Sequence, residues 1–249
     1  MTEDTRTTRA HRDGDTAAKR RKRGVLLFVR DLLVIFVVAV LVSFLIKTFL
    51  IRSFFIPSQS MEQTLEVDDR IIVNQLVPEV MPIERGDVVV FRDPGGWLPA
   101  TVAPEQPPLV AAVDGFLAFV GLSAPDSNDH LVKRVIGLPG DHVTCCNAFG
   151  QMSVNDVPLD EPYITLPEGE TKVSRDDFDQ VVPEGMLWVM GDNRYNSKDS
   201  RYNGDTPLGG FVPIENVVGR AFVVSWPVSH WAWLPNYPEV FEGVDPDGE

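Results

Sequence analysis

Leu131-Val132-Lys133-Arg134-Val135-Ile136, followed by Leu138-Pro139-Gly140-Asp141, decides how this 249-residue chain folds. A β-branched, apolar run closed by Pro-Gly, a pair that favours a tight turn, predicts a strand with a defined end. Lys133 alternates with Leu131 and Val135 on one face, while Val132 and Ile136 are apolar on the other, so its amine points into or beside a core. Two readings of this lysine are open. In one it snorkels to water from a strand edge; in the other it is desolvated, its pKa falls toward neutrality, and it becomes a usable base.

The same kind of run recurs along the chain. Residues 70–76, 88–91 after a Gly86-Asp87 turn, 151–154, 186–190 and 217–224 each read as short strands bounded by turn residues. Many short strands, with almost no long amphipathic helix after residue 51, predict a mainly β fold class.

Beyond Lys47 the chain has only three lysines, Lys133, Lys172 and Lys198. Lys172 lies between acidic runs and Lys198 lies among Asn196, Ser197, Asp199 and Ser200, so both are expected to be solvated. Just after an apolar run comes Ser53-Phe54-Phe55-Ile56-Pro57-Ser58-Gln59-Ser60-Met61. A serine hydroxyl is a poor nucleophile near neutral pH and needs a base. A hydroxyl just outside a bilayer and a dry lysine are the parts of a Ser/Lys hydrolase.

The apolar run covers residues 25–51 and is free of charge from 32 to 46. That is enough to cross about 30 Å of hydrocarbon as one helix, with Arg30 and Asp31 at one interface and Lys47 at the other. It exceeds the usual h-region of a cleaved leader, and no small-x-small site follows it. Residues 1–24, expected to be disordered, hold eight basic residues against four acidic, a balance of +4 that leaves −18 for the rest of a chain whose net charge is −14. The basic cluster is expected to stay cytoplasmic, with the following domain outside, and to meet anionic lipid. An acidic exported part excludes nucleic acid as a partner.

Residues 93–130 turn rich in Pro, Gly and Ala around an apolar island at 109–122, too interrupted to span a bilayer; an insertion loop with interfacial contact is expected. Trp226, Trp231 and Trp233 crowd near the C-terminus. Core packing is their default reading, and an aromatic anchor at the bilayer interface the sharper one. After Asn236 an acidic, loose tail is expected.

Ser58-Gln59-Ser60-Met61, Arg85-Gly86-Asp87-Val88-Val89-Val90-Phe91, Lys133-Arg134-Val135-Ile136-Gly137-Leu138-Pro139-Gly140-Asp141 and Gly191-Asp192-Asn193-Arg194-Tyr195-Asn196-Ser197-Lys198-Asp199-Ser200-Arg201 together resemble the ordered boxes of bacterial type I signal peptidases. The resemblance implies a β-rich catalytic domain, residues 52–143 and 184–235, a small β subdomain inserted at 144–183, and one transmembrane helix in front. It implies a membrane-anchored serine endopeptidase that removes signal peptides after small-x-small sites. Ser60 would be the nucleophile and Lys133 its general base. The Ser60 N–H and the Ser58 hydroxyl would be the oxyanion donors, Ser197 would orient the lysine, and Asp199 with Arg201 would support the loop. Phe54, Ile56, Met61, Leu65, Leu131 and Val132 would line pockets for small side chains. Tyr195 stands where the family often has an acidic residue. Ser197 as a turn cap, and Leu65 as ordinary core, are the plainer alternatives.

No cofactor or metal is implied. Cys145 and Cys146 are adjacent and have no third cysteine to pair with, a bridge between them needs a strained ring, and with His142 they fall short of a structural zinc site. The expected partners are signal-peptide-bearing precursors, membrane lipids and the export translocase. Two other functions fit the residues less well. A self-cleaving Ser/Lys repressor would need a DNA-binding module, and a catalytically silent envelope scaffold would not require Ser58, Ser60, Lys133 and Ser197 together.

Overall fold

The computed structural model describes residues 27–46, 49–99 and 129–245. The expected tail 1–24, the greater part of the 93–130 insertion with its apolar island, and residues 246–249 lie outside the described residues.

The chain divides into two units, residues 1–47 and 48–249. In the first, α1 (Leu27–Ile46) is long and apolar enough to cross a membrane. Arg30 and Asp31, the charges near its start, pair at 2.7 Å.

The second unit is built from strands: β1 (Ile51–Phe55), β2 (Arg70–Asn74), β3 (Val88–Arg92), β4 (His130–Gly137), β5 (His142–Cys145), β6 (Met152–Val154), β7 (Val157–Pro158), β8 (Phe178–Val181), β9 (Met186–Met190), β10 (Val212–Pro213), β11 (Val217–Trp226) and β12 (Ala232–Trp233). The larger sheet runs β1-β2-β11-β3-β4-β9-β10, with β12 added to β11; the smaller runs β7-β6-β5-β8. The pairs within both are antiparallel.

β3 explains the layering. Its Val88 and Val90 enter a cluster with Phe54, Met61 and Leu65, while Val89 and Phe91 enter another with Val135 and Val189. A strand covered on both faces needs the continuous apolar run that residues 88–91 supply. β4 pairs with β3 so that Val89 faces Lys133 and Val88 faces Arg134; it ends at Gly137, and Gly140, at φ +89, then turns the chain. A left-handed residue at that place of a Pro-Gly turn is a demand glycine meets without strain.

The smaller sheet shares its core with Trp188, Phe211 and the C-terminal segment. It starts at His142 and ends at Val181, with His142 and Cys145 at the two ends of β5. Cys145 and Cys146 are joined as a disulfide. Two expectations are overturned. The segment after Asn236 is not loose: Val240, Phe241 and Val244 are buried, and Asp245 binds Arg85 at 2.8 Å while Arg85 also holds Asp141 at 2.7 Å. Trp226, Trp231 and Trp233 are exposed, because β12 pairs only with the outer part of β11 and leaves their rings uncovered. Trp231 and Trp233 pack on each other edge to face at 5.5 Å.

Candidate active site

β1 delivers the chain to a short 3-10 helix, Gln59–Met61, by way of Ile56, Pro57 and Ser58. Buried Ile56 and Met61 fix both ends of this passage, and Leu65 N–H closes it on the Met61 carbonyl at 2.8 Å. Ser60 is thereby held half-exposed, and Ser58, extended and making no cap bond with its side chain, has its hydroxyl 3.3 Å from that of Ser60.

Lys133 approaches from the middle of β4. Its side chain is buried, and Nζ donates to Ser60 Oγ at 2.6 Å and to the Val132 carbonyl at 2.9 Å. Burial is the main cause that lowers its pKa to about 8; Asp199 and Asp192 pull the other way and Arg201 reinforces the fall. The other two lysines differ. Lys172 is exposed and paired with Asp177 at 2.9 Å, and Lys198 is exposed with its amine 3.3 Å from the Trp97 carbonyl.

The loop after β9 locks this pair in place. Gly191 sits so close to the Ser60 carbonyl and to the Ser197 side chain that a Cβ there would overlap both, which only a glycine avoids. Asn193 N–H donates to the Ser60 carbonyl at 3.2 Å, and its side chain donates to Glu62 at 3.1 Å. Asp192 accepts from Arg134 at 2.6 and 2.9 Å, both residues being fully buried, with the guanidinium 4.0 Å above the Tyr163 ring. Asp199 takes two bonds from the Arg201 guanidinium, each 2.8 Å, one from Arg201 N–H at 3.3 Å and one from Gly191 N–H. Its own burial would raise its pKa, but Arg201, Gly191 and the Ser197 hydroxyl together hold it below the usual value. Ser197 is buried beside this carboxylate and makes no hydrogen bond to the Lys133 amine.

Next to Ser60 and Lys133 a cavity of about 220 Å³ opens. Phe54, Ile56, Met61, Leu131 and Val132 line it, and so do Phe55, Pro57, Val90, Leu98 and His130. Leu65 does not; it is fully buried in the cluster behind, because the turn that closes on Met61 points it inward. The sequence reading passed over His130, Val90 and the Arg134–Asp192 pair. A histidine directly before the apolar part of β4 was the available signal for the first. The pair joins residues 58 apart and leaves no local trace.

A serine hydroxyl, a buried amine that loses its proton near pH 8, a second hydroxyl beside them and an apolar cleft of small volume can together perform acyl transfer. The family model for signal peptidase, peptidase S26, matches residues 29–226. A probable signal peptidase I of Mycobacterium leprae is 41% identical over 201 residues, covering 71% of this chain and 68% of that protein. A signal peptidase I of Mycobacterium tuberculosis is 38% identical over 245 residues, covering 89% and 82%. A solved signal peptidase I from Enterococcus faecalis is 26% identical and covers 55% of this chain and 95% of that one, at a TM-score of 0.36.

Proposed function

The chain belongs to the signal peptidase family, peptidase S26, and from that premise we propose how its residues remove signal peptides from exported precursors. The neutral Lys133 amine takes the Ser60 proton as Oγ attacks the scissile carbonyl. Charge developing on that oxygen is met by the Ser58 hydroxyl and the Ser60 N–H. Lys133 then gives its proton to the leaving amine, the signal peptide stays as an ester on Ser60, and water activated by the same amine releases it. The observation that carries this reading is the 2.6 Å contact between a buried, easily deprotonated amine and the Ser60 hydroxyl.

The cleft beside Ser60 suits a small-x-small site: its apolar wall and its volume of about 220 Å³ favour short side chains and exclude charged ones. Phe54, Ile56, Met61, Leu131 and Val132 are proposed to form it. Ser197 is assigned to orienting the Lys133 amine, and Asp199 with Arg201 to keeping the loop in shape. The protein is membrane-anchored through α1; its basic N-terminal residues are assigned to the cytoplasm and the β unit to the outer side. Exposed Trp226, Trp231 and Trp233 are suited to the headgroup region, and delivery of precursors by the export translocase fits such a location.

The test is cleavage of an Ala-x-Ala precursor peptide by the detergent-solubilised protein, with the cut mapped by mass. Cleavage after the second Ala, lost in both Ser60→Ala and Lys133→Met, supports the mechanism. Activity that survives Lys133→Met would show that another group is the base.

A further inference from the structure

Gly191 stands against the Ser60 carbonyl and the Ser197 side chain, and a residue that must lack a side chain can be fixed only through its own peptide groups. Both groups are held. The N–H donates to Asp199 at 3.0 Å, and the carbonyl accepts from Nε of Arg194 at 3.1 Å. The Asp199 end belongs to the cluster around Arg201. The Arg194 end leads elsewhere, because the other two nitrogens of its guanidinium donate to Glu161, in the segment between β7 and β8, at 2.7 and 2.5 Å.

Stability alone gives little reason for this pair. The two side chains are 0% and 1% exposed, and a buried ion pair gains little over apolar side chains of similar volume. What an apolar pair lacks is a donor for the Gly191 carbonyl. The guanidinium is planar and carries its donors in a fixed fork, so once Glu161 binds the two terminal nitrogens, Nε has one direction left, and in that direction lies Gly191. Neighbouring groups reinforce the arrangement. The Tyr163 hydroxyl donates to the same Glu161 carboxylate at 2.7 Å, its ring lies 4.0 Å from the guanidinium of Arg134, the neighbour of Lys133, and Arg201 donates to the Arg194 carbonyl at 2.9 Å. Freed of Glu161, Arg194 would be drawn toward Asp192, the other carboxylate that acts on it, and the Gly191 carbonyl would lose its anchor.

We propose that Glu161 and Arg194 are positioning residues for the cleavage reaction: Glu161 orients the Arg194 guanidinium, which holds the Gly191 carbonyl and through it the place of Ser60 against Lys133. This rests on the reading that Ser60 and Lys133 carry the reaction. Neither Glu161 nor Arg194 lines the cleft, so their effect falls on kcat and not on KM.

The experiment compares the detergent-solubilised full chain with its variants, reading KM, kcat per folded molecule on an Ala-x-Ala precursor peptide, and the urea midpoint. The triple variant Glu161→Met, Tyr163→Phe, Arg194→Met replaces the buried polar group by apolar side chains, and Tyr163→Phe alone is its reference. Against that reference the urea midpoint should be equal or higher and KM should stay within about two-fold. Its kcat should fall about 10–100-fold, the scale expected when reacting groups are displaced by up to about 1 Å. Glu161→Gln is the converse case. It leaves the Arg194 charge unpaired, so the midpoint falls, but its amide oxygen still orients the guanidinium, and kcat should lie clearly above that of the triple variant. Should the triple variant not fold, Arg194→Lys takes its place, since one amine keeps the ion pair but cannot serve Glu161 and Gly191 together, and kcat should fall likewise. An undiminished kcat in the triple or the Lys variant, or a Glu161→Gln enzyme as slow as they are, overturns the proposal. Cleavage by Ser60→Ala would instead overturn the underlying mechanism, so the two failures are told apart.

Discussion

Lys133 and Arg134 are neighbours on one strand, both buried, and their electrostatic situations are opposite. Arg134 has a carboxylate, a carbonyl and an aromatic face around its guanidinium, and its pKa is raised. Lys133 has a serine hydroxyl and a carbonyl but, among the described residues, no carboxylate within hydrogen-bonding reach, and burial lowers its pKa to about 8. The pleat sends consecutive side chains to opposite faces, so one residue step separates a cation that holds the structure from an amine poised to react. Burial by itself decides neither; the partner does.

The largest expected effect removes the reactive member. Lys133→Met should lower kcat/KM by about 10²–10⁴-fold, the usual contribution of general acid–base catalysis, in a peptide-cleavage assay. Removing the structural member's partner should tell on folding instead. Asp192→Asn leaves the Arg134 charge buried and uncompensated, and urea unfolding should show a loss of about 3–5 kcal/mol. The contrast sharpens in a third measurement. In the unfolded chain the lysine titrates near 10.4 and in the folded one near 8, so between these values the unfolded chain holds more protons and stability rises with pH. Below about pH 8 both forms are charged and the folded state bears the whole penalty, about 3 kcal/mol. Lys133→Met should therefore be more stable than the parent at pH 7 by up to that amount, and a variant equal to or weaker than the parent would count against a dry amine. Finally, kcat/KM of the parent should fall about tenfold per pH unit below 8 and level off above it; a limb centred near 10 would mean a solvated lysine.

Only part of this contrast could be read from the sequence. The alternation around Lys133 pointed to a buried amine, and the acidic surroundings of Lys172 to a wet one, because both signals are local. Strands with continuous apolar runs, β3 and β9 among them, were legible for the same reason. β5 and β8, His-Val-Thr-Cys and Phe-Asp-Gln-Val, were not, since each is short and half-exposed with few apolar residues. The C-terminal segment looked loose because its acidic composition hid Val240, Phe241 and Val244, whose burial depends on a sheet made elsewhere in the chain. The roles of Ser58, Ser60 and Lys133 are what the resemblance implies, whereas the closeness of Ser60 to Lys133, 73 residues apart, is a product of the fold that no spacing encodes.

The sheet order also sets a schedule. β11, which follows ten other strands in the sequence, is inserted between β2 and β3. Until it is made, the hairpin that carries Ser60 and the hairpin that carries Lys133 have no strand joining them. The two hairpins are thus joined into one sheet by a segment that lies after both of them in the sequence.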